Sequence, residues 1–248
     1  MRGETGRGYR CEEAKVISTT TEEERCVRGD EDARSWRARR AVTWQLGLAA
    51  LLVVLFVALG IVVKSGRTLA FDEHMHRVVR DHLRTAFSTP LMHLGVDIGT
   101  ATAFFVPLTA LVLIRLHRRR AAAVVILSTG GALLLTLCLK GIFHRTRPEQ
   151  LCARGPLCVI DYLFPSNHTV LTLVSYGLIG ALIAARFSGW RRALAFLSVV
   201  VLVGFVGTSL VYLNTHYLTD VIGGFLIGGA WLIGSLLTLR AVEAGTRE

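Results

Sequence analysis

The stretch "TSLVYLNTHYLTDVIGG" (residues 208–224) joins the end of one long apolar run to the start of another, and it holds His216 and Asp220 at the junction. Ionisable side chains beside so much leucine, isoleucine, valine and glycine are costly to desolvate and need a physical reason. The two residues are four apart, so they share one face of the helix that the second run predicts. A carboxylate bonded to one imidazole nitrogen leaves the other nitrogen available as a nucleophile or base. The pair is therefore a candidate reactive dyad, and the alternative is an interfacial His–Asp pair that only holds the helix start.

The rest of the chain is equally apolar. Of its 248 residues 52% are hydrophobic and 19% charged, and the mean hydropathy is +0.50. This favours an integral membrane protein over a soluble protein with very apolar core helices. Six stretches reach the length of about 20 residues that a helix needs to cross the hydrocarbon core. They cover residues 41–63, 91–116, 121–139, 169–185, 193–213 and 218–239. The sequence thus predicts an all-α, polytopic membrane protein with six transmembrane helices in a bundle.

The formal charge of +10 lies mostly on alternate connections between these spans. Arginines cluster before span one, between spans two and three, between spans four and five, and after span six. The positive-inside rule then places both termini in the cytoplasm and loops one, three and five outside. We expect a multi-pass protein of the cell membrane that contacts membrane lipids, and this distribution argues against a nucleic-acid partner. Oligomeric state is not predicted.

Three domains are expected. Residues 1–40 are predicted to form a disordered cytoplasmic tail, residues 41–240 the six-span domain, and residues 241–248 a cytoplasmic C-terminal tail. The segment "FDEHMHRVVRDHLRTAF" (71–87) places apolar residues on one helical stripe against charges. That pattern predicts an amphipathic helix in the outer interface, with its histidines on a solvated face rather than at a metal site.

Cysteines occur twice in the third loop, as Cys152 and Cys158. An oxidising compartment outside the membrane would let them form a disulfide, and two free thiols are the alternative.

A first polar cluster, "LKGIFHRTRPE" (139–149), follows span three. Lys140 and Arg147 are seven residues apart, so they project from one face if the helix continues, although Pro148 ends that helix. Two cations at a membrane surface suit an oxyanion such as phosphate. The alternative is a pair of basic side chains that extend to the interface.

A second polar cluster, "FPSNHTV" (164–170), precedes span four. The chain breaks at Ser166 and the helix is predicted to begin at or just after His168. The free N–H groups of Asn167, His168 and Thr169, with the positive end of the helix dipole, make a seat for an anion. His168 beside that seat can donate a proton to a leaving oxygen. The alternative is an N-cap with an incidental histidine.

Taken in order, these clusters resemble the three-part signature of the type 2 phosphatidic acid phosphatase (PAP2) superfamily, in its membrane-bound branch. The matching residues are Lys140, Arg147 and Pro148, then Pro165, Ser166, Asn167 and His168, then Ser209, His216 and Asp220. The resemblance covers residues 41–240. It implies metal-independent hydrolysis of a lipid phosphate or pyrophosphate at the outer membrane face, with no cofactor.

The resemblance also implies roles for these residues. His216 would attack phosphorus and form a phosphohistidine, Asp220 would orient it, and His168 would protonate the leaving oxygen and later activate water. The implied phosphate ligands are Lys140, Arg147, Ser166 and the backbone at Asn167 and His168. Substrates typical of the family are polyprenyl pyrophosphates, phosphatidylglycerol phosphate and phosphatidic acid, and the compact plan favours undecaprenyl pyrophosphate. The alternatives are a phosphotransferase, a non-catalytic lipid-phosphate-binding protein and, more weakly, a transporter.

Two positions depart from the family pattern. Asn167 replaces a glycine, which is a mild change because asparagine tolerates positive φ and caps helices. Leu210 replaces the arginine that supplies a third phosphate ligand. Losing one charge-assisted hydrogen bond removes about 1.5–3 kcal/mol. Arg145 and Arg154 are the candidates to replace that ligand, with Arg145 ahead because it lies in the same short segment as Arg147.

Overall fold

The computed structural model describes residues 20–146 and 162–245, and within these ranges the chain folds entirely into helices and their connections. The α-helices are α1 (Thr20–Lys64), α2 (Leu69–Val78), α3 (Ser88–Thr100), α4 (Thr102–Arg115), α5 (Arg119–Phe143), α6 (Asn167–Ala184), α7 (Gly189–Tyr212) and α8 (Leu218–Ala244). A π-helical turn, Val79–Leu83, extends α2. The all-helical prediction is confirmed.

Five helical segments are long and apolar enough to cross a membrane, and a bent pair can supply a sixth span. The five are Arg39–Lys64, Arg119–Phe143, Asn167–Ala184, Gly189–Tyr212 and Leu218–Ala244. The second predicted span corresponds to α3 and α4, which meet at an angle of 43°. The helix breaks at Ala101 and not at Pro107, which lies inside α4.

The chain divides into two compact units, residues 1–47 and 48–248. The first is described from Thr20 onward as the N-terminal part of α1. Residues 20–40, which the sequence analysis assigned to a disordered tail, are therefore helical. Their many glutamates and arginines are good helix formers, and the acidic residues precede most of the basic ones, as the helix dipole favours. Residues 1–19 lie outside the described ranges.

The second unit is organised around α6, which packs against α3, α4, α5, α7 and α8. Val170, Val174 and Leu178 are fully buried and recur every four residues along this helix. Such spacing places all three side chains on one face within the bundle core. The start of α6, which carries His168, is consequently fixed by contacts with its neighbours.

A glycine lets α8 approach the start of α6. A Cβ atom on Gly224 would lie 2.8 Å from Cβ of Thr169 and 3.1 Å from the carbonyl oxygen of Ser166. No side chain fits in that space without displacing one of the two helices. The first turns of α6 and α8 are thereby held in direct contact.

We define residues 69–87 as the interfacial segment. Its helical part ends at Leu83, four residues before the predicted end at residue 87. Phe71 is 51% exposed and Phe87 86% exposed. At its C-terminal end Arg84 donates from Nε and Nη2 to the carbonyl oxygen of Tyr212, at 3.2 and 2.9 Å. The hydroxyl of Tyr212 in turn lies 2.6 Å from Oγ of Ser88. These bonds fasten the end of the segment to the C-terminal end of α7.

Candidate active site

The three predicted polar clusters meet where α5 ends and where α6 and α8 begin. Lys140, in the last turn of α5, is 3% exposed. His168, in the first turn of α6, is within electrostatic range of both Lys140 and His216. The fold therefore brings together residues from three separate segments of the chain.

The N-cap of α6 is Ser166, and it is fully buried. Its Oγ accepts a hydrogen bond from the N–H of Thr169 at 3.4 Å, and its own N–H donates to the carbonyl oxygen of Asp220 at 3.1 Å. The helix begins at Asn167, one residue before the predicted start. Because the first residues of a helix have no acceptor within it, the N–H groups of Asn167 and His168 remain for an anion.

The two histidines face one another at this helix end. The ring centroids of His168 and His216 are 6.4 Å apart, and their planes are inclined at 63°. Reacting atoms approach to about 3–3.5 Å before a bond forms, and a proton donor lies at a similar distance. The structure thus places two imidazole rings at the same helix start, where both can contact one bound group.

Asp220 lies directly behind His216. Its carboxylate is fully buried, and Oδ2 is 3.8 Å from Nδ1 of His216, an ion-pair separation that is longer than a hydrogen bond. The same Oδ2 accepts the N–H of Tyr217 at 2.9 Å and so caps α8. The carboxylate therefore caps the helix, as one interpretation expected, and it also faces the imidazole, an arrangement compatible with the reactive dyad.

Leu210 belongs to an apolar cluster and not to the anion seat. Its side chain is 1% exposed and packs in a cluster that includes Val206 and Val221. Its carbonyl oxygen accepts the N–H groups of Thr215 at 3.0 Å and His216 at 3.3 Å. The residue thus supports the turn that carries His216, where the family arginine would supply a phosphate ligand.

Arg145 does not replace that ligand. Its Nη1 donates to Oδ1 of Asp220 at 2.7 Å and to Oγ1 of Thr219 at 2.6 Å, while Nη2 donates to Oδ2 of Asp72 at 2.6 Å. The guanidinium also lies 4.6 Å over the ring of Tyr217. Two carboxylates already engage this cation, so the expectation that it binds phosphate is corrected.

Lys140 and Arg147 would share a helical face only if the helix continued to Arg147, and this condition is not met. α5 ends at Phe143, and His144 adopts a left-handed conformation with φ of 51°. The helix therefore stops before it reaches Arg147. Arg147 itself, Arg154 and both loop cysteines lie outside the described residues.

Sequence reasoning missed two groups from the interfacial segment. Asp72 is fully buried, and its Oδ1 accepts the N–H of Thr219 at 3.1 Å. His76, expected on a solvated face, donates from Nε2 to the carbonyl oxygen of His216 at 3.1 Å and stacks on Tyr217 with ring centroids 4.7 Å apart. The sequence contains a signal for this burial. Asp72 lies four residues before His76 and seven before the apolar Val79, so the three residues share a helical face.

Within residues 20–146 and 162–245, no group of three or more His, Cys, Asp or Glu side chains is arranged to hold an ion.

Comparison with known proteins identifies relatives. The family model described as the PAP2 superfamily matches residues 121–243. Phosphatidylglycerophosphatase B of Bacillus subtilis (strain 168) is 25% identical over 186 residues, which cover 71% of this chain and 87% of the relative. A crystal structure of a transmembrane PAP2-type phosphatidylglycerolphosphate phosphatase from Bacillus subtilis superposes with a TM-score of 0.66 at 23% identity. That match covers 79% of this chain and 96% of the other, and it supports the fold.

Proposed function

Because the chain belongs to the PAP2 superfamily, we propose that it is a membrane phosphatase that hydrolyses a lipid phosphate or pyrophosphate through a phosphohistidine on His216. The observation that carries the proposal is the pair His168 and His216, whose ring centroids are 6.4 Å apart at a helix start, with the buried carboxylate of Asp220 behind His216. No metal ion or other cofactor takes part in the proposed reaction. The site would face the outside of the cell membrane, with both termini in the cytoplasm.

In the first step His216 attacks phosphorus. Since Nδ1 faces Asp220, the attacking atom is Nε2. A nitrogen–phosphorus bond forms, the bond from phosphorus to the leaving oxygen breaks, and His168 gives that oxygen a proton. The carboxylate of Asp220 stabilises the positive charge on the imidazole. The 3.8 Å separation must shorten for this, as catalytic contacts commonly do when substrate binds.

In the second step water attacks the phosphohistidine. His168, now neutral, accepts a proton from the water, the nitrogen–phosphorus bond breaks, and inorganic phosphate leaves. Throughout, Lys140 and the N–H groups of Asn167 and His168 would hold the equatorial oxygens, together with Arg147. Donors fixed before the reaction stabilise the developing charge without reorganisation.

Phosphatidylglycerol phosphate is the first substrate to test, because the curated relative is named for that activity. Undecaprenyl pyrophosphate and phosphatidic acid, the other two expected substrates, serve as comparisons. All three present the same terminal phosphoryl group to the anion seat and differ in the group that leaves.

The experiment measures phosphate release by detergent-purified protein from these three lipids in the presence of EDTA. We expect release from at least one lipid by the wild type and none by His216→Ala. With a substrate labelled in its terminal phosphoryl group, wild-type protein quenched during turnover in alkaline denaturant should carry an alkali-stable, acid-labile label that His216→Ala lacks. If chelation abolishes wild-type activity and a divalent ion restores it, the metal-free assignment is wrong.

One observation favours a second function, which is lipid-phosphate binding without turnover. The position of the family's third phosphate ligand holds the buried Leu210, and Arg145 is engaged by two carboxylates. On this alternative the wild type and His216→Ala would bind a lipid phosphate equally well and neither would release phosphate.

A further inference from the structure

Resting on the proposed function, we infer that Asp72 and Arg145 are positioning residues for phosphoryl transfer, which hold Asp220 in place behind His216. The two residues come from separate parts of the chain, the interfacial segment and the connection that follows α5. The side chain of Arg145 is 9% exposed and that of Asp72 fully buried. Neither acts directly on the substrate in this assignment.

The hydrogen bonds define the orientation of the Asp220 carboxylate. Oδ1 accepts from Arg145 at 2.7 Å, and Oδ2 accepts from the N–H of Tyr217 at 2.9 Å. With Oδ1 held by the guanidinium, Oδ2 is the oxygen that remains directed at Nδ1 of His216. Without Arg145 only the N–H of Tyr217 would restrain rotation of the carboxylate about its Cβ–Cγ bond.

Asp72 holds the other half of the guanidinium. Its Oδ2 accepts from Nη2 of Arg145 at 2.6 Å and from Oγ1 of Thr219 at 2.6 Å, while Oδ1 accepts the N–H of Thr219 at 3.1 Å. Asp72 therefore fixes both Arg145, the cation that is bonded to Asp220, and Thr219, the residue that precedes Asp220 in the chain.

Charge balance explains why two carboxylates are present. A lone Arg145–Asp220 pair would cancel the negative charge that stabilises the imidazole once it carries a phosphoryl group. With Asp72 included, one cation and two anions leave a net charge of −1 directly behind His216. Burial makes this charge effective, because the local dielectric is low and salt does not screen it.

The test begins with Asp72→Asn, which keeps the side-chain size and an oxygen that can accept from Thr219. Since neither Asp72 nor Arg145 contacts the phosphoryl group, kcat should fall about tenfold or more while KM changes by less than about threefold. Arg145→Lys, which keeps the charge but loses the planar fork, should show the same split. The matched control is Asp81→Asn, since Asp81 belongs to the same segment, is exposed and pairs with its neighbour Arg80; its kinetics should match the wild type.

A double-mutant cycle separates positioning from general structural support. If Asp72 acts through Asp220, then Asp72→Asn should lower kcat by less than about twofold in an Asp220→Asn background. An equal fall in kcat in both backgrounds would overturn the inference. So would an Asp72→Asn enzyme whose kcat and KM match those of the Asp81→Asn control, or one in which only KM rises. If Asp72→Asn fails to fold, the same cycle is run with Arg145→Lys. A wild type without turnover refutes the proposed function and this inference together, whereas an active wild type with control-like variants refutes the inference alone.

Discussion

Replacing Leu210 by arginine restores the family residue but places it in an apolar cluster. Leu210 is 1% exposed, so the substitution gives up about 1.5–3 kcal/mol of side-chain burial. A cation that enters the cluster unpaired adds several kcal/mol of desolvation. Position 210 lies two residues before the end of α7, so part of this cost is relieved if the guanidinium extends to the helix end. We expect a net loss of about 3–5 kcal/mol in the free energy of unfolding.

Thermal unfolding in detergent measures this effect. For a domain of this size 1 kcal/mol corresponds to about 2–4 °C, so the Tm of Leu210→Arg should fall by between about 6 and 20 °C. The matched control is Leu210→Met, which conserves volume and apolarity and should cost less than about 1.5 kcal/mol. Phosphate release by Leu210→Arg should fall and not rise. A variant with wild-type Tm and raised turnover would refute the reasoning and show that the new cation reaches the phosphoryl group.

Three further predictions concern helix contact, topology and the dyad. Gly224→Ala should lower kcat about tenfold or more, because the added Cβ lies 2.8 Å from Cβ of Thr169 and small displacements at a site are costly. Gly234→Ala, on the same helix with open space around it, should leave kcat unchanged. Equal kcat values for the two variants would contradict the close contact between α6 and α8. In a cysteine-free background of intact cells, Thr215→Cys should react with a membrane-impermeant thiol reagent and Arg119→Cys should not, and the reverse labelling would place the site in the cytoplasm. Asp220→Asn should leave a small, measurable fraction of turnover, since the nucleophile remains, and full activity would exclude a role for its charge.

The family and the all-helical class were predicted correctly because both depend on features that lie along the chain. A run of about 20 apolar residues has few alternatives to a membrane-spanning helix. Three motifs in a fixed order can be recognised in the sequence without knowledge of the fold. The bend at Ala101 was not predicted, since the proline of this span, Pro107, lies inside α4 and away from the bend. Helix in residues 20–40 was missed because mixed charge is compatible with both disorder and a charged helix.

The Asp72–Arg145 pair was missed for a different reason. The partners are 73 residues apart, and the pairing depends on which side of α2 faces the bundle. The amphipathic pattern of residues 71–87 predicted that the charged side is solvated, whereas the structure buries Asp72 together with Val79. A rotation of one residue position, about 100°, converts a solvated carboxylate into a buried one. Hydropathy alone could not distinguish the faces because apolar residues occur on both.

The interfacial segment is fastened at both ends, by Asp72 to the residues around the dyad and by Arg84 to the C-terminal end of α7. Just outside these two points it exposes Phe71 and Phe87 to its surroundings. Aromatic side chains on an amphipathic segment sit among lipid headgroups and upper acyl chains. Because Asp72 lies in this segment, a displacement of these rings would also displace the carboxylate that holds Arg145, the cation bonded to Asp220 behind His216.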